Sequence, residues 1–243
     1  MDGVPIPFEF FDGCMYHLKG EHTITGSVSN SSWSKRQATL VLYVFADGVP
    51  RIKPKLIFHG APGGKIWQHE HQLWDPRVTV ELSVTAYNNE QLLTKWITNE
   101  LLPSLGNQES LLVMDSASFH KTDDVKQLLK ENQVTLAVIP PGCTGLLQPL
   151  DVAINKAFKA LLRVHLERIL EMEADGEVSG RATVSARRIA VTKAVGDAWD
   201  ELCDQKRQLV VQSFVHTGIA VNPTGSEDSM ISIKDLPAPD FSG

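Results

Sequence analysis

Hydrophobic and polar positions along this chain follow strand-like periods in its first half and helical periods later. Continuous apolar, β-prone runs predict strands at 21–28, 38–46, 55–59, 78–84, 111–114 and 134–139. Helical spacing predicts helices capped at Asn89 and Thr122, a long helix from Asp151 to about Met172, and two more at 191–202 and 208–214. This order, a β-meander followed by alternating helices and strands, predicts an α/β fold: a mixed sheet flanked by helices with a C-terminal helical extension.

The long helix is expected to bury one apolar stripe, made of Ile154, Phe158, Leu161, His165 and Ile169. The stretch 60–77 is rich in Gly, Pro and His, which predicts an irregular insertion, and 173–183 reads as a polar loop. Pro, Gly, Ser and acidic residues dominate after position 222. We therefore expect one folded domain at 1–221 and a disordered tail at 222–243.

Composition narrows the function classes only a little. Three widely spaced cysteines indicate a reducing compartment, and they predict neither a disulfide framework nor a zinc site. No apolar run is long enough to cross a bilayer, and the N-terminal residues do not resemble a signal peptide. The net charge of −6 is unlike that of a self-sufficient nucleic-acid binder, although local basic clusters still permit nucleic-acid contact.

Two aspartates stand at the ends of patterned segments. Asp115 follows the apolar run at 111–114, and Asp151 follows the turn-rich stretch at 140–150 and opens the long helix. Carboxylates at such places in an α/β fold, without a Cys/His cage, predict a hard divalent cation held by oxygen atoms. The alternative is structural, because an aspartate also opens loops and caps helices.

Three sequence words resemble the DDE superfamily endonucleases of the pogo, Tigger, jerky and centromere-protein-B type. The words are Met-Asp-Ser-Ala-Ser-Phe-His at 114–120, Pro-Pro-Gly-Cys-Thr-Gly-Leu-Leu-Gln-Pro-Leu-Asp at 140–151, and Asn-Lys-Ala-Phe-Lys at 155–159. The resemblance, which covers most of the chain, implies a ribonuclease H-like fold and a nuclear location. It also implies three acidic residues that bind two Mg²⁺ or Mn²⁺ ions and cut, then join, DNA.

By the same resemblance, Met-Asp-Gly-Val-Pro at 1–5 matches the word that carries the first catalytic acid. Asp2, Asp115 and Asp151 are then the expected catalytic and metal-binding residues. Gly3 and Ser116 depart from the usual Glu and Asn of the family. The strand expected before Asp2 and the upstream helix-turn-helix region are absent from the sequence. We therefore expect a catalytic-domain fragment in which Asp2 is poorly held and activity is weak.

Five further residues are candidate nucleic-acid contacts. His120 is equally compatible with a capping or packing role, while Asn155 and Lys159 share one helix face with Asp151. Lys35 and Arg36 head a basic group, followed by Arg51, Lys53 and Lys55, that would track a DNA backbone; exposed charges that only solubilise are the alternative.

Two other features favour structural roles. The triplet at 69–71 (His-Glu-His) resembles a metal pair but lacks further ligands at zinc spacing. Trp67 and Trp74 could stack on a flipped base, but tryptophans more often anchor an insertion.

Taken together, the sequence predicts a DDE-type DNA endonuclease and strand transferase that uses Mg²⁺ or Mn²⁺. A domesticated, catalytically inactive DNA- or chromatin-binding protein of the same fold is the alternative. A weaker reading is a protein-interaction scaffold built on the C-terminal helices. The predicted partners are DNA and no membrane, with a homo-oligomer left open.

Overall fold

A computed structural model describes residues 1–7, 37–106, 108–176 and 183–233. Within these ranges the strands are β1 (Asp2–Pro7), β2 (Gln37–Leu42), β3 (Lys55–His59), β4 (Thr79–Ser83), β5 (Ser110–Met114) and β6 (Val134–Val138). The α-helices are α1 (Lys65–Glu70), α2 (Glu90–Trp96), α3 (Leu102–Leu105), α4 (Asp123–Glu131), α5 (Thr144–Leu147), α6 (Asn155–Gly176), α7 (Val184–Gln205) and α8 (Arg207–His216). The predicted strand at 21–28 lies outside the described residues.

The first four strands form one mixed sheet in the order β1-β2-β3-β4. β1 and β2 pair antiparallel, as do β2 and β3, which confirms the predicted hairpin, whereas β3 and β4 run parallel. β2 stops at Leu42 and not at position 46, because its outer neighbour β1 begins with Asp2 opposite Leu42. Beyond that point the chain at 43–46 has no strand beside it in the described structure.

β5 and β6 form a second, parallel pair. The chain reaches β5 through α2, α3 and the π-helical turn Ile97–Leu101 between them. The side chain of Asn89 caps α2 by accepting from Leu92 N at 3.0 Å, and Thr122 caps α4 in the same way, as predicted. The predicted buried strand at 111–114 is only half right, because Leu111 is 53% exposed on the open edge of β5.

The core has two apolar layers, one on each face of the first sheet. Leu40, Leu42, Leu56 and Phe58 face α6 and α7, whereas the alternate residues of the same strands face α2 and α4. A sheet covered on both faces explains why β2 and β3 are continuous apolar runs.

Helix α6 begins four residues later than predicted, after a π-helical turn at Leu150–Ile154. Its fully buried stripe is Phe158, Leu162 and Leu166, while the predicted members Leu161, His165 and Ile169 lie at the edge of the core. His165 instead meets Glu201 of α7, with 2.8 Å between Nε2 and Oε2. The stripe on α7 (Val191, Val195, Ala198, Trp199 and Leu202) is buried as predicted.

One loop prediction also needs correction. The expected irregular insertion at 60–77 contains helix α1 and a 3₁₀ turn at His71–Leu73. After α8, the described part of the predicted tail folds into turns, and Ser232 N donates to His216 O at 3.0 Å. Across the described part of the chain, no helix has the length and apolar character to cross a membrane.

Candidate active site

Asp2 is held firmly by the sheet. Its position in the sequence had suggested that it would be held loosely. It is the first residue of β1, pairs with Leu42, and is only 7% exposed. The residue before it is tied down on both sides: Met1 N donates to Val113 O at 3.1 Å, and Gln148 Nε2 donates to Met1 O at 3.1 Å. The expectation that nothing upstream fixes the Asp2 carboxylate is therefore wrong, because the sheet and the turn before α6 fix it.

Asn155 brings Asp2 and Asp151 together. Its side-chain Nδ2 donates to Asp2 Oδ2 at 2.6 Å and to Asp151 Oδ1 at 3.1 Å. Asn155 follows Asp151 by four residues, so the two side chains leave the same face of the helical segment. A buried amide thus joins the first strand to the start of α6 across most of the chain.

The two carboxylates repel one another. Although Asp151 is exposed overall, partial withdrawal of its carboxylate from water raises its pKa, and the negative charge of Asp2 raises it further. The hydrogen bond from Asn155 acts in the opposite direction, and the more distant charge of Asp115 adds to the rise. A bound cation would relieve this repulsion.

Asp115 lies at the carboxyl end of β5 and has its own support. His120 Nδ1 lies 2.8 Å from Asp115 Oδ1, and Ala117 N donates to the same oxygen at 2.9 Å. The His120 contact lowers the pKa of Asp115, and the Ala117 bond acts in the same direction against the effect of partial burial. His120 is 2% exposed within the 3₁₀ turn Ser118–His120. In this structure His120 therefore supports Asp115 from a buried position.

An open cleft separates β1 from the start of α6. One wall consists of residues 2–5 and the other of Asp151, Asn155, Lys156 and Lys159. Lys156 and Lys159 are exposed at its rim. Lys156 was missed as a candidate, although it stands beside Asn155 in the sequence. Asp115 does not line this cleft, but its charge reaches Asp151 and the Met1 amino group.

The Met1 amino group is a further titratable neighbour. Burial lowers its pKa to about 6, against the opposing effect of the Asp2 and Asp115 charges.

Comparison with known families identifies the chain. The sequence model of the DDE superfamily endonucleases matches residues 35–207, a span that contains Asp115 and Asp151 and begins after Asp2. The chain belongs to this family.

Among curated proteins, this DDE domain is similar to pogo transposable-element proteins. It is 25% identical over 199 residues to the human "Pogo transposable element with ZNF domain", covering 81% of this chain and 13% of that protein. It is 23% identical over 245 residues to the human "Pogo transposable element with KRAB domain", covering 97% of this chain and 37% of that protein. These matches place it with the pogo-type transposase domains, and it spans well under half the length of either relative. No solved structure matches it.

The oxygen atoms at the cleft of the DDE domain are of the kind that binds a hard cation, but they do not form a complete metal site. Asp2 and Asp151 present carboxylate oxygens within reach of one amide, and such oxygens suit Mg²⁺ and Mn²⁺. Asn155 Oδ1, buried beside them, has no hydrogen-bond partner within the described part of the chain. In the same ranges, no group of three or more His, Cys, Asp or Glu side chains has the geometry of a metal site.

Within the described residues, the members of the predicted basic group contact other groups of the chain, and Arg51 and Lys53 are exposed. Lys35 and Arg36 lie outside the described residues. Arg51 is bound to Asp47, Lys53 donates to Pro76 O at 2.8 Å, and Lys55 is 1% exposed with its Nζ 3.8 Å from Glu100. Burial lowers the pKa of Lys55, against the opposing effect of Glu100.

The His-Glu-His triplet of the DDE domain is structural. Glu70 is buried and bound by Arg188 of α7, with 2.9 Å between Arg188 Nε and Glu70 Oε2. His71 stacks on Trp67, and the Trp67 ring meets the edge of Trp74 at 5.5 Å between centroids. These contacts fit the anchoring role and not a zinc site.

Proposed function

We propose that this domain is a metal-dependent DNA endonuclease and strand transferase, with Asp2, Asp115 and Asp151 as its catalytic acids. The observation that carries the proposal is the bridge from Asn155 to both Asp2 and Asp151. Holding two carboxylates side by side costs stability, because the negative charges repel one another. Placed together at a cleft, they suit a site that receives positive charge.

The fold supports the proposal. An antiparallel β1-β2-β3 meander is followed by a parallel β5–β6 pair, with helices on both faces of the first sheet. Asp2 opens β1, Asp115 ends β5, and Asp151 precedes α6. We propose that this arrangement is ribonuclease H-like, as family membership implies.

Within the proposed site, Asp2 and Asp151 would hold a divalent cation, Mg²⁺ or Mn²⁺, and Asp115 would contribute from the neighbouring strand end. When bound, such ions supply an activated nucleophile and neutralise charge on the phosphate and the leaving oxygen. The chain itself does the positioning: Asn155 fixes the orientation of Asp2 and Asp151, and His120 fixes that of Asp115.

The proposed substrate is DNA. Lys156 and Lys159 extend from the wall of the cleft that also carries Asp151, where they can bind phosphates flanking the cut site. The DDE family and the pogo relatives support this substrate. We propose a nuclear location on the same ground, and additional DNA contacts from parts of a longer protein.

The test is DNA nicking. Supercoiled plasmid is incubated with the folded protein and Mn²⁺ or Mg²⁺, and nicked product is measured over time. We expect nicking that EDTA abolishes. Asp115→Asn and Asp151→Asn should each reduce the nicking rate at least about 100-fold, because even a misplaced catalytic group costs about that much. The matched control is Asp123→Asn, an exposed carboxylate in the first turn of α4.

Two results would overturn the proposal. One is metal-dependent nicking that persists in both site variants, which would place the reaction elsewhere. The other is the absence of nicking by folded protein that still binds DNA, which would establish the domesticated, inactive alternative.

A further inference from the structure

One side of β6 has no strand beside it in the described part of the chain, while its other side pairs with β5 in parallel. On the β5 side, Gln133 O accepts from Ser110 N at 3.2 Å. Backbone groups of successive residues alternate between the two sides of a strand, so Val134, Leu136 and Val138 direct their N–H and C=O groups away from β5. These three residues therefore present a row of backbone donors and acceptors at an open edge.

β6 lacks the features that usually prevent pairing at a sheet edge. Its sequence, Val-Thr-Leu-Ala-Val, contains no proline and no charged residue. Proteins commonly blunt an edge strand with prolines or charges, because an open row of backbone groups can pair with a further strand. The two edge strands of the first sheet follow that rule: β1 contains Pro5 and Pro7, and β4 contains Glu81. Of these edges, β6 is therefore the one suited to accept another strand.

A groove of about 450 Å³ lies beside β6. Its lining consists of Glu109, the α4 residues Lys126 and Lys130, and the chain at 133–136. None of these residues lines the acidic cleft between β1 and the start of α6. The groove is therefore separate from the proposed active site.

The groove is positively charged. Lys126 and Lys130 are four residues apart, so they extend from the same face of α4, and both are exposed. Lys126 Nζ lies 3.5 Å from Oδ1 of Asp123, whose side chain is fully exposed, and an ion pair of this kind is weak. With two lysines against Glu109, the lining favours an acidic occupant. It disfavours a second copy of the same groove, since like charges would then meet.

We propose that β6 binds an extended acidic segment of a partner protein by strand addition. The backbone of the segment would hydrogen-bond to Val134, Leu136 and Val138, and its acidic side chains would pair with Lys126 and Lys130. In this mode of recognition the main-chain bonds supply affinity and the side chains supply specificity. The inference goes beyond the proposed nuclease activity and does not depend on it.

The probe is the synthetic peptide Glu-Val-Glu-Val-Glu-Val, labelled for fluorescence anisotropy. One control is the basic peptide Lys-Val-Lys-Val-Lys-Val, and the other is a fully N-methylated copy of the acidic peptide. We expect the acidic peptide to bind at least about tenfold more tightly than either control, because the lysines repel the first and the second has no N–H groups to donate. Equal binding of the acidic peptide and its N-methylated copy would overturn strand addition.

Charge reversal tests the two lysines. We expect Lys126→Glu combined with Lys130→Glu to weaken binding of the acidic peptide at least about tenfold and to tighten binding of the basic one. The matched control is Lys65→Glu, at an exposed lysine of α1, which should change neither affinity. Circular dichroism establishes that each variant is folded. Unchanged affinity for the acidic peptide in the double variant would overturn the proposal.

Hydrogen exchange locates the added strand. We expect the acidic peptide to slow exchange of the Val134, Leu136 and Val138 amides at least about tenfold, with Thr135 and Ala137, which face β5, as internal references. Unchanged exchange at saturating peptide would overturn the proposal. So would displacement of the peptide by duplex DNA at physiological salt, or light scattering that shows a dimer with these amides already protected, since DNA or a second copy would then occupy the groove.

Discussion

A single side-chain amide organises the acidic site at the residue scale. Asn155 is 7% exposed, and its Nδ2 serves both Asp2 and Asp151. Removing it would leave two neighbouring carboxylates without the donor they share. Its expected role is to hold the two acids at a separation suited to a cation. Asn155 is then a positioning residue and does not itself take part in the reaction.

We predict that Asn155→Ala lowers Mn²⁺-dependent nicking about 10- to 100-fold while the protein remains folded, the range typical of residues that orient metal ligands. Calorimetric titration should show weaker Mn²⁺ binding in parallel. The matched control is Asn132→Ala at the exposed end of α4, where the amide donates only to Leu128 O. Unchanged Mn²⁺ affinity in Asn155→Ala would contradict the positioning role.

Asp151 is predicted to destabilise the metal-free protein at neutral pH. Its pKa in the folded state is raised by partial withdrawal from water and by the charge of Asp2, so the folded state holds the proton more tightly than the unfolded state. Stability is therefore lost as pH rises from the ordinary carboxyl pKa through the raised one. Asp151→Asn should raise Tm by roughly 1 to 3 °C at pH 7 in EDTA.

The difference in Tm should shrink as the pH falls and disappear below about pH 3, where the unfolded carboxyl is itself protonated. Thermal melts at both pH values make the comparison. Asp123→Asn should lower Tm slightly instead, because Asp123 is exposed and favours the N-terminus of α4. A lower Tm for Asp151→Asn at pH 7 would show that the carboxylate stabilises the fold.

Sequence patterns predicted the positions of these acids but not their surroundings. Asp115 and Asp151 stand at a strand end and a helix start, which local patterns indicate. The burial of His120 and the direction of the Asn155 amide depend on which distant segments pack over them. The sequence therefore predicted both residues as nucleic-acid contacts, and it could not predict their contacts with the acids.

At the element scale, α6 and the turn before it join the core to the site. Phe158 and Leu162 anchor one face of the helix, and the preceding turn presents Asp151 and Asn155 at the cleft. Lys156 and Lys159 extend from the exposed side. Periodicity predicted this helix. It placed part of the buried stripe on residues next to Leu162 and Leu166, which are the ones that α7 covers.

We predict that Lys156→Gln and Lys159→Gln each weaken binding to short duplex DNA and reduce the slope of log affinity against log salt by about 0.9. Fluorescence anisotropy between low and physiological salt measures that slope. Lys126→Gln on α4, whose ammonium lies 3.5 Å from Asp123, is the matched control and should leave the slope unchanged. Slopes equal to that of the unsubstituted protein in all three variants would show that neither lysine contacts DNA.

At the scale of the whole molecule, ion pairs connect the segment after β3 to α7, and the most buried of them joins Glu70 to Arg188. Glu70 is 5% exposed, and Arg188 binds both of its carboxylate oxygens. Burial alone would raise the pKa of Glu70, but the bonds from Arg188 and Ser185 outweigh it and lower the pKa. Its stabilising effect is thus present above the ordinary Glu pKa and is lost as pH falls through the lower one.

We predict that Glu70→Gln lowers the free energy of unfolding by about 3 kcal/mol, since it leaves Arg188, whose side chain is only 13% exposed, without its charged partner. Urea unfolding at pH 7 measures the change, which should shrink at acidic pH. Glu167→Gln breaks an exposed pair with Arg163 and should cost no more than about 0.5 kcal/mol. Equal costs in the two variants would show that burial adds nothing to the Glu70 pair.

The sequence predicted most strands and helices of the molecule but could not predict this connection. Glu70 lies in a Gly-, Pro- and His-rich stretch that suggested an irregular insertion, and its partner is far along the chain. Local patterns report which segments are helical or extended. They do not report the pairing of charges that meet only after the layers have packed.

The bridge from Asn155 to Asp2 also sets the order in which the site can appear during protein synthesis. Asp2 leaves the ribosome well before its partner Asn155, because 153 positions separate the two residues in the sequence. Contacts of such long range form late and slow folding. A nascent chain therefore carries its first acid long before the amide that aligns it, and the paired acids can assemble only after Asn155 has been made.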